Sequence, residues 1–64
     1  MKIEDQGTVV LFTPDNDEEQ FWLDENVVYD EWQLVQPDVG RAGLAVDHRF
    51  ALDLFHAVRE QGFV

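Results

Sequence analysis

A chain of 64 residues carrying fourteen acids against four lysines and arginines, net charge −10, holds at most one small domain and is repelled by nucleic acids and anionic membranes. It contains no cysteine, which excludes disulfides and thiolate zinc sites and leaves a packed core, self-association or a bound partner to stabilise it. The 45% hydrophobic content, with five Phe, two Trp and one Tyr, is enough for a core and argues against disorder. No apolar run reaches the ~20 residues of a membrane-spanning helix, and the polar start Met1-Lys2-Ile3-Glu4-Asp5 is not that of an export signal, so a cytoplasmic location is expected.

In chain order, Thr8-Val9-Val10-Leu11-Phe12 is an unbroken, β-branched apolar run and predicts a strand buried on both faces. Thr13-Pro14 ends it. The acids and Asn that follow are helix-starting residues, and a helix is expected from about Asp15 to Asn26. Its apolar stripe is poor because Phe21, Trp22 and Leu23 are consecutive and cannot all face one core; Trp22 is the one expected to stay partly exposed.

Trp32–Val35 and Gly43–Val46 read as two further strands joined by the turn-rich connection 36–42, with the reversal marked by Pro37-Asp38 and Gly40. Asp47 is placed to cap a last helix from His48 to Gln61, which Gly62 ends and from which Phe63 folds back. Phe50, Leu54, Ala57, Val58 and Gln61, widened by Ala51 and Phe55, form its apolar side; Arg49, Asp53, His56 and Glu60 form the other. The expected fold is a small α+β domain in β-α-β-β-α order, a three-stranded sheet packed with two helices.

The charge is concentrated. Residues 15–31 hold Asp15, Asp17, Glu18, Glu19, Asp24, Glu25, Asp30 and Glu31 and no Lys or Arg, whereas 32–64 hold four acids against three arginines. Crowding like charges costs stability through self-repulsion. One reading is a solvated face that serves solubility. The other is a surface shaped for a basic protein partner, in which Asp17, Glu18, Glu19, Asp24, Glu25, Asp30 and Glu31 pair with Lys or Arg while Trp22, Tyr29 and Trp32 anchor apolar contacts.

Catalytic and metal motifs are absent from the sequence. Serine is missing altogether, and Thr8 and Thr13 have no base nearby in sequence. His48 and His56 are eight positions apart on the expected helix, too far to chelate one ion together, and Asp53 with His56 reads as a surface ion pair. Asp15-Asn16-Asp17 starts like a calcium loop, but Gln20 stands where that loop needs Gly and Asn26 where it needs Glu. A non-enzymatic role without cofactor or metal is therefore expected.

Three stretches, Trp22-Leu23-Asp24-Glu25-Asn26, Glu31-Trp32-Gln33 and Gly43-Leu44-Ala45-Val46-Asp47-His48-Arg49-Phe50, together give a pattern that resembles small uncharacterised acidic proteins encoded by phages and mobile elements. The resemblance implies an inhibitor that binds a host protein, in some cases by resembling DNA in charge. The alternative is a structural or regulatory homodimer whose acids serve solubility alone.

Overall fold

In the computed structural model, which describes residues 1–37 and 40–64, two strands at the centre of a sheet carry the apolar core. The elements are β1 (Lys2–Asp5), β2 (Val9–Thr13), α1 (Asp17–Asn26), a 3₁₀ turn (Glu31–Gln33), β3 (Leu34–Val35), β4 (Gly43–Asp47) and α2 (His48–Glu60). The fold is α+β, with two helices and one antiparallel sheet of order β1-β2-β4-β3. The sheet has four strands rather than the expected three, and the chain order is β-β-α-β-β-α.

The additional strand is β1. It pairs with β2 from Lys2↔Thr13 to Asp5↔Val10, and its only large apolar side chain is Ile3. An edge strand needs few apolar residues, because one long side of it meets water. Gly7 makes the reversal: it sits at φ +94°, and its N–H donates to Asp5 at 2.8 Å. Gln6 N–H donates to the Val9 carbonyl at 2.8 Å and closes the hairpin.

β2 and β4 pair from Val9↔Asp47 to Phe12↔Leu44. Alternation along these strands points Val10, Phe12, Leu44 and Val46 to one face, where they are buried with Ala51 and Val58 of α2. The apolar run of β2 is thus not buried on both faces as expected. Val9, Leu11 and Thr13 point to the other side and stay half-buried, because both helices pack on one face. On that open side Gly43 is buried: a Cβ there would stand 2.8 Å from both Leu11 Cδ1 and Thr13 Oγ1.

The C-terminal half follows the expectation closely. Asp47 ends β4 and caps α2, its carboxylate accepting the Arg49 N–H at 2.9 Å. Gly62, at φ +79°, ends the helix; its N–H reaches the Arg59 carbonyl and Phe63 N–H the Val58 carbonyl. Phe63 then lies edge-on to Trp22 with ring centroids 5.8 Å apart, joining α2 to α1. Phe50, by contrast, leaves the buried stripe and is 61% exposed, because the buried side of α2 centres on Ala51 and Val58.

Two other expectations change. Trp32 and Gln33 belong to the 3₁₀ turn, and only Leu34 and Val35 pair with β4. Gln33 bends the chain there: its Oε1 accepts the Asp30 N–H at 2.9 Å and its Nε2 donates to the Ala45 carbonyl at 3.1 Å. Asp38 and Val39, half of the expected hairpin reversal, lie outside the described residues. No helix among the described residues is long and apolar enough to cross a membrane.

β1 is tied to α2 by Asp5 and His48, with Oδ1 and Nε2 3.0 Å apart. The hydrogen bond from His48, aided by the Gly7 N–H, holds the Asp5 carboxyl below its ordinary value of 3.8. A lowered carboxyl contributes stability that is complete above that value and lost as pH falls through the folded-state value. Urea midpoints at pH 5 and pH 3 should therefore differ less in Asp5→Asn than in the parent protein. The core makes a second, larger prediction. Phe12, fully buried, should cost about 3–5 kcal/mol when replaced by alanine. The exposed Phe50 should cost less than about 1 kcal/mol, both read from urea unfolding.

Candidate functional site

The acids of residues 15–31 are placed by α1 and by the 3₁₀ turn that follows it. Asn16 is the N-cap of α1, its side chain accepting the Glu19 N–H at 2.9 Å. Asp17, Glu18 and Glu19 fill the first turn, where the exposed N–H groups and the helix dipole favour negative charge. At the other end Val27 N–H donates to the Leu23 carbonyl, and the Asn26 amide donates to the Trp22 carbonyl at 2.8 Å.

Glu19 and Leu23, four positions apart, form the inward side of the helix; they are 7% and 2% exposed. Glu19 is thus no part of a docking surface, contrary to the sequence expectation. Its carboxylate meets the Met1 ammonium at 2.9 Å and accepts the Asp15 N–H at 3.1 Å, so it fastens the start of α1 to the start of β1. Asp15 holds the same ammonium at 2.9 Å. Burial works to lower the pKa of that ammonium, but its bonds to Asp15 and Glu19 outweigh burial and raise it.

Trp22 is partly exposed, as expected, but it is not the most exposed residue of its run. It is half-buried against Phe63, and Phe21 takes the outward position at 64% exposure. The neighbours of Phe21 one helical turn away, at three and four positions in either direction, are Asp17, Glu18, Asp24 and Glu25. All four are exposed, so a solvent-facing phenyl ring stands inside a ring of carboxylates. The sequence signal that marks it is this spacing; the consecutive Phe21-Trp22-Leu23 run obscures it.

Tyr29 is half-buried, and its hydroxyl donates to Asp24 at 2.6 Å. That hydrogen bond, and secondarily burial, raises the Tyr29 pKa. Tyr29 is therefore a strut that folds the chain after α1 back against the helix, not a free anchor. Asp24 also accepts from Gln20 at 3.3 Å. Beyond Tyr29, Asp30 and Glu31 are exposed, and the turn presents Trp32 at 79% exposure.

Compensating cations are few. Arg41 reaches Asp17 at 2.8 Å, Arg49 pairs with Asp47 at 3.2 Å, and Lys2 pairs with Glu4 at 3.3 Å. Among the described residues no cation lies within ion-pair distance of Glu18, Asp24, Glu25, Asp30 or Glu31. Of the ten expected partner-binding residues, Glu18, Glu25, Asp30 and Glu31 thus present carboxylates without an ion-pair partner, Trp32 presents an open indole, Asp24 is shared with Tyr29 and Asp17 with Arg41. Glu19 and Tyr29 instead serve the fold, and Trp22, in edge contact with Phe63, keeps part of its ring open to a groove.

Two grooves flank α2. One, of about 320 Å³, lies between β1 and α2 and carries the Asp5–His48 pair at its edge. The other, of about 390 Å³, lies between α1 and α2. Among the described residues no three His, Asp or Glu side chains converge to hold a metal ion. The chain matches no protein-family model, no curated protein and no solved structure.

The two kinds of acid should separate in stability measurements. Glu19→Ala removes a buried, bonded carboxylate and should lower unfolding free energy by about 1–3 kcal/mol. Glu18→Ala and Glu25→Ala remove exposed, unpaired charges and should change it by less than about 0.5 kcal/mol. Urea denaturation of the three variants makes the comparison.

Proposed function

We propose that this chain is an acidic protein-interaction module, whose α1 outer face and neighbouring 3₁₀ turn dock on a basic surface of another protein. The partner surface is of the kind that holds nucleic acid, and the chain acts as an inhibitor of phage type that stands in for DNA by its charge. The observation that carries this reading is Phe21, 64% exposed with Asp17, Glu18, Asp24 and Glu25 one turn away on either side. A face serving solubility alone gains nothing from an exposed phenyl ring, whereas an apolar anchor inside a charged rim is the arrangement found in protein interfaces. The unpaired carboxylates steer a cationic partner into contact and chiefly raise the association rate. Phe21 and Trp32 then supply desolvated contact that slows dissociation.

A homodimer is the second reading, and the open side of the sheet favours it. Val9, Leu11 and Ala45 lie there half-buried with no helix of the described residues over them, and Val35 is 47% exposed. Two copies would have to meet against a charge of −10 each, so this association should tighten as salt rises, the reverse of docking on a basic surface.

Capture of partners from host lysate at low and high salt, with mass spectrometry of what is retained, tests the favoured reading. The retained protein should be basic, and its affinity should fall at least tenfold between about 50 and 500 mM salt. Phe21→Ala should weaken it by about tenfold, and neutralising Asp17, Glu18, Asp24 and Glu25 together should abolish it. Retention indifferent to salt and to these substitutions would refute the proposal, and a tight dimer in sedimentation would replace it with the second reading.

A further inference from the structure

The groove between the two helices is apolar over most of its length. Trp22 and Val28 wall it on one side and Phe50, Leu54 and Ala57 on the other, with Val46 of β4 at its base. Its rims are exposed, Phe50 at 61% and Val28 completely. Only Asn26 and Asp53 are polar among its lining residues. The Asn26 amide is already used on the Trp22 carbonyl. Asp53 has no cation within ion-pair distance among the described residues. His56, expected to pair with it, and Arg49 are three and four positions away on the same helix and neither lies within ion-pair distance; the Arg49 guanidinium lies 5.7 Å from the Phe50 ring centre and is held by Asp47.

Acids of the charged face stand one helical turn from the groove wall. Trp22 has Glu18 and Glu25 one turn away on α1, and both also flank Phe21. An occupant of the groove therefore meets Asp53 directly and lies beside a helix that carries these carboxylates. A neutral apolar segment would leave those charges unanswered, and a second copy of the chain would bring more of the same sign.

We propose that the groove receives an amphipathic, basic segment of the partner protein. One apolar side chain of that segment seats against Trp22 and Phe50, and an adjacent lysine or arginine pairs with Asp53. The inference rests on the proposed docking to a basic protein and adds what the partner must carry: charge brings it in, and the apolar side chain selects it. A basic surface without such a side chain would be attracted but held weakly.

Two synthetic peptides of equal positive charge separate these contributions, one helical with leucines and lysines and the other with serine in place of each leucine. Binding is followed by NMR through the Trp22 indole N–H and the α2 amides. The leucine peptide should bind about tenfold tighter and shift those resonances. Phe50→Ala and Asp53→Asn, both at exposed positions that leave the core intact, should each remove most of that advantage. Asp24→Asn with Glu18→Gln should weaken both peptides alike. Equal binding of the two peptides, unaffected by Phe50→Ala, would overturn the groove proposal and leave the acidic-face reading standing. Binding of neither peptide at low salt would overturn both. Equal binding by an uncharged leucine–serine peptide, or a dimer in sedimentation that Phe50→Ala dissociates, would assign the groove to another occupant and overturn the proposal.

Discussion

The antiparallel pairing of β2 with β4 is the constraint on which the rest of the molecule depends. It sets Phe12 opposite Leu44 and Val10 opposite Val46, all on the side that α2 covers. Phe12 is fully buried, Leu44 is 2% exposed, and Ala51 and Val58 close over the same cluster. In a chain this short most of the apolar burial has to come from one such cluster, and each other element is placed by reference to it. β1 and β3 extend the pair at its two edges. Asp47 is both the last residue of β4 and the cap of α2, so strand and helix meet without a linker and their angle is set at that residue.

Much of this was legible from residue pattern. The β2 and β4 runs, the Asp47 cap and the Gly62 stop each carry a local physical signal, and each falls where that signal puts it. The failures turn on contacts that residue pattern does not show, most of them made with segments distant in the chain. Glu19 resembles its acidic neighbours until Met1 and the Asp15 N–H are brought against it. Lys2–Asp5 looks like a polar terminus until β2 offers it a pairing edge. Trp32-Gln33 has strand-forming residues, yet Gln33 bonds to Asp30 and to Ala45 and turns the chain. Phe50 fits a helical stripe of generous width, but α2 rolls so that Ala51 and Val58 take the sheet.

The acidic segment separates into carboxylates with structural work and carboxylates without it. Glu19 and Asp15 hold the chain start, Asp24 receives Tyr29, and Asp17 receives Arg41. Glu18, Glu25, Asp30 and Glu31 have no ion-pair partner among the described residues. Sequence alone identifies the concentration of charge but not this division. The division matters for the functional reading, because Glu18 and Glu25 can meet a partner without giving up a contact, whereas Asp17 and Asp24 are shared with Arg41 and Tyr29.

The central strand pair also joins segments far apart in the chain: Thr13 ends one strand and Gly43 begins the other. Everything between them must be drawn into a loop before the core can close, at an entropic cost that grows with the length enclosed. That loop is also where the negative charge is crowded, so electrostatic repulsion swells it in the unfolded chain and opposes its closure. Dissolved ions screen this repulsion and so lower the cost of closing the loop. The charge pattern that equips the folded surface thus makes the path to the native state sensitive to the ionic medium.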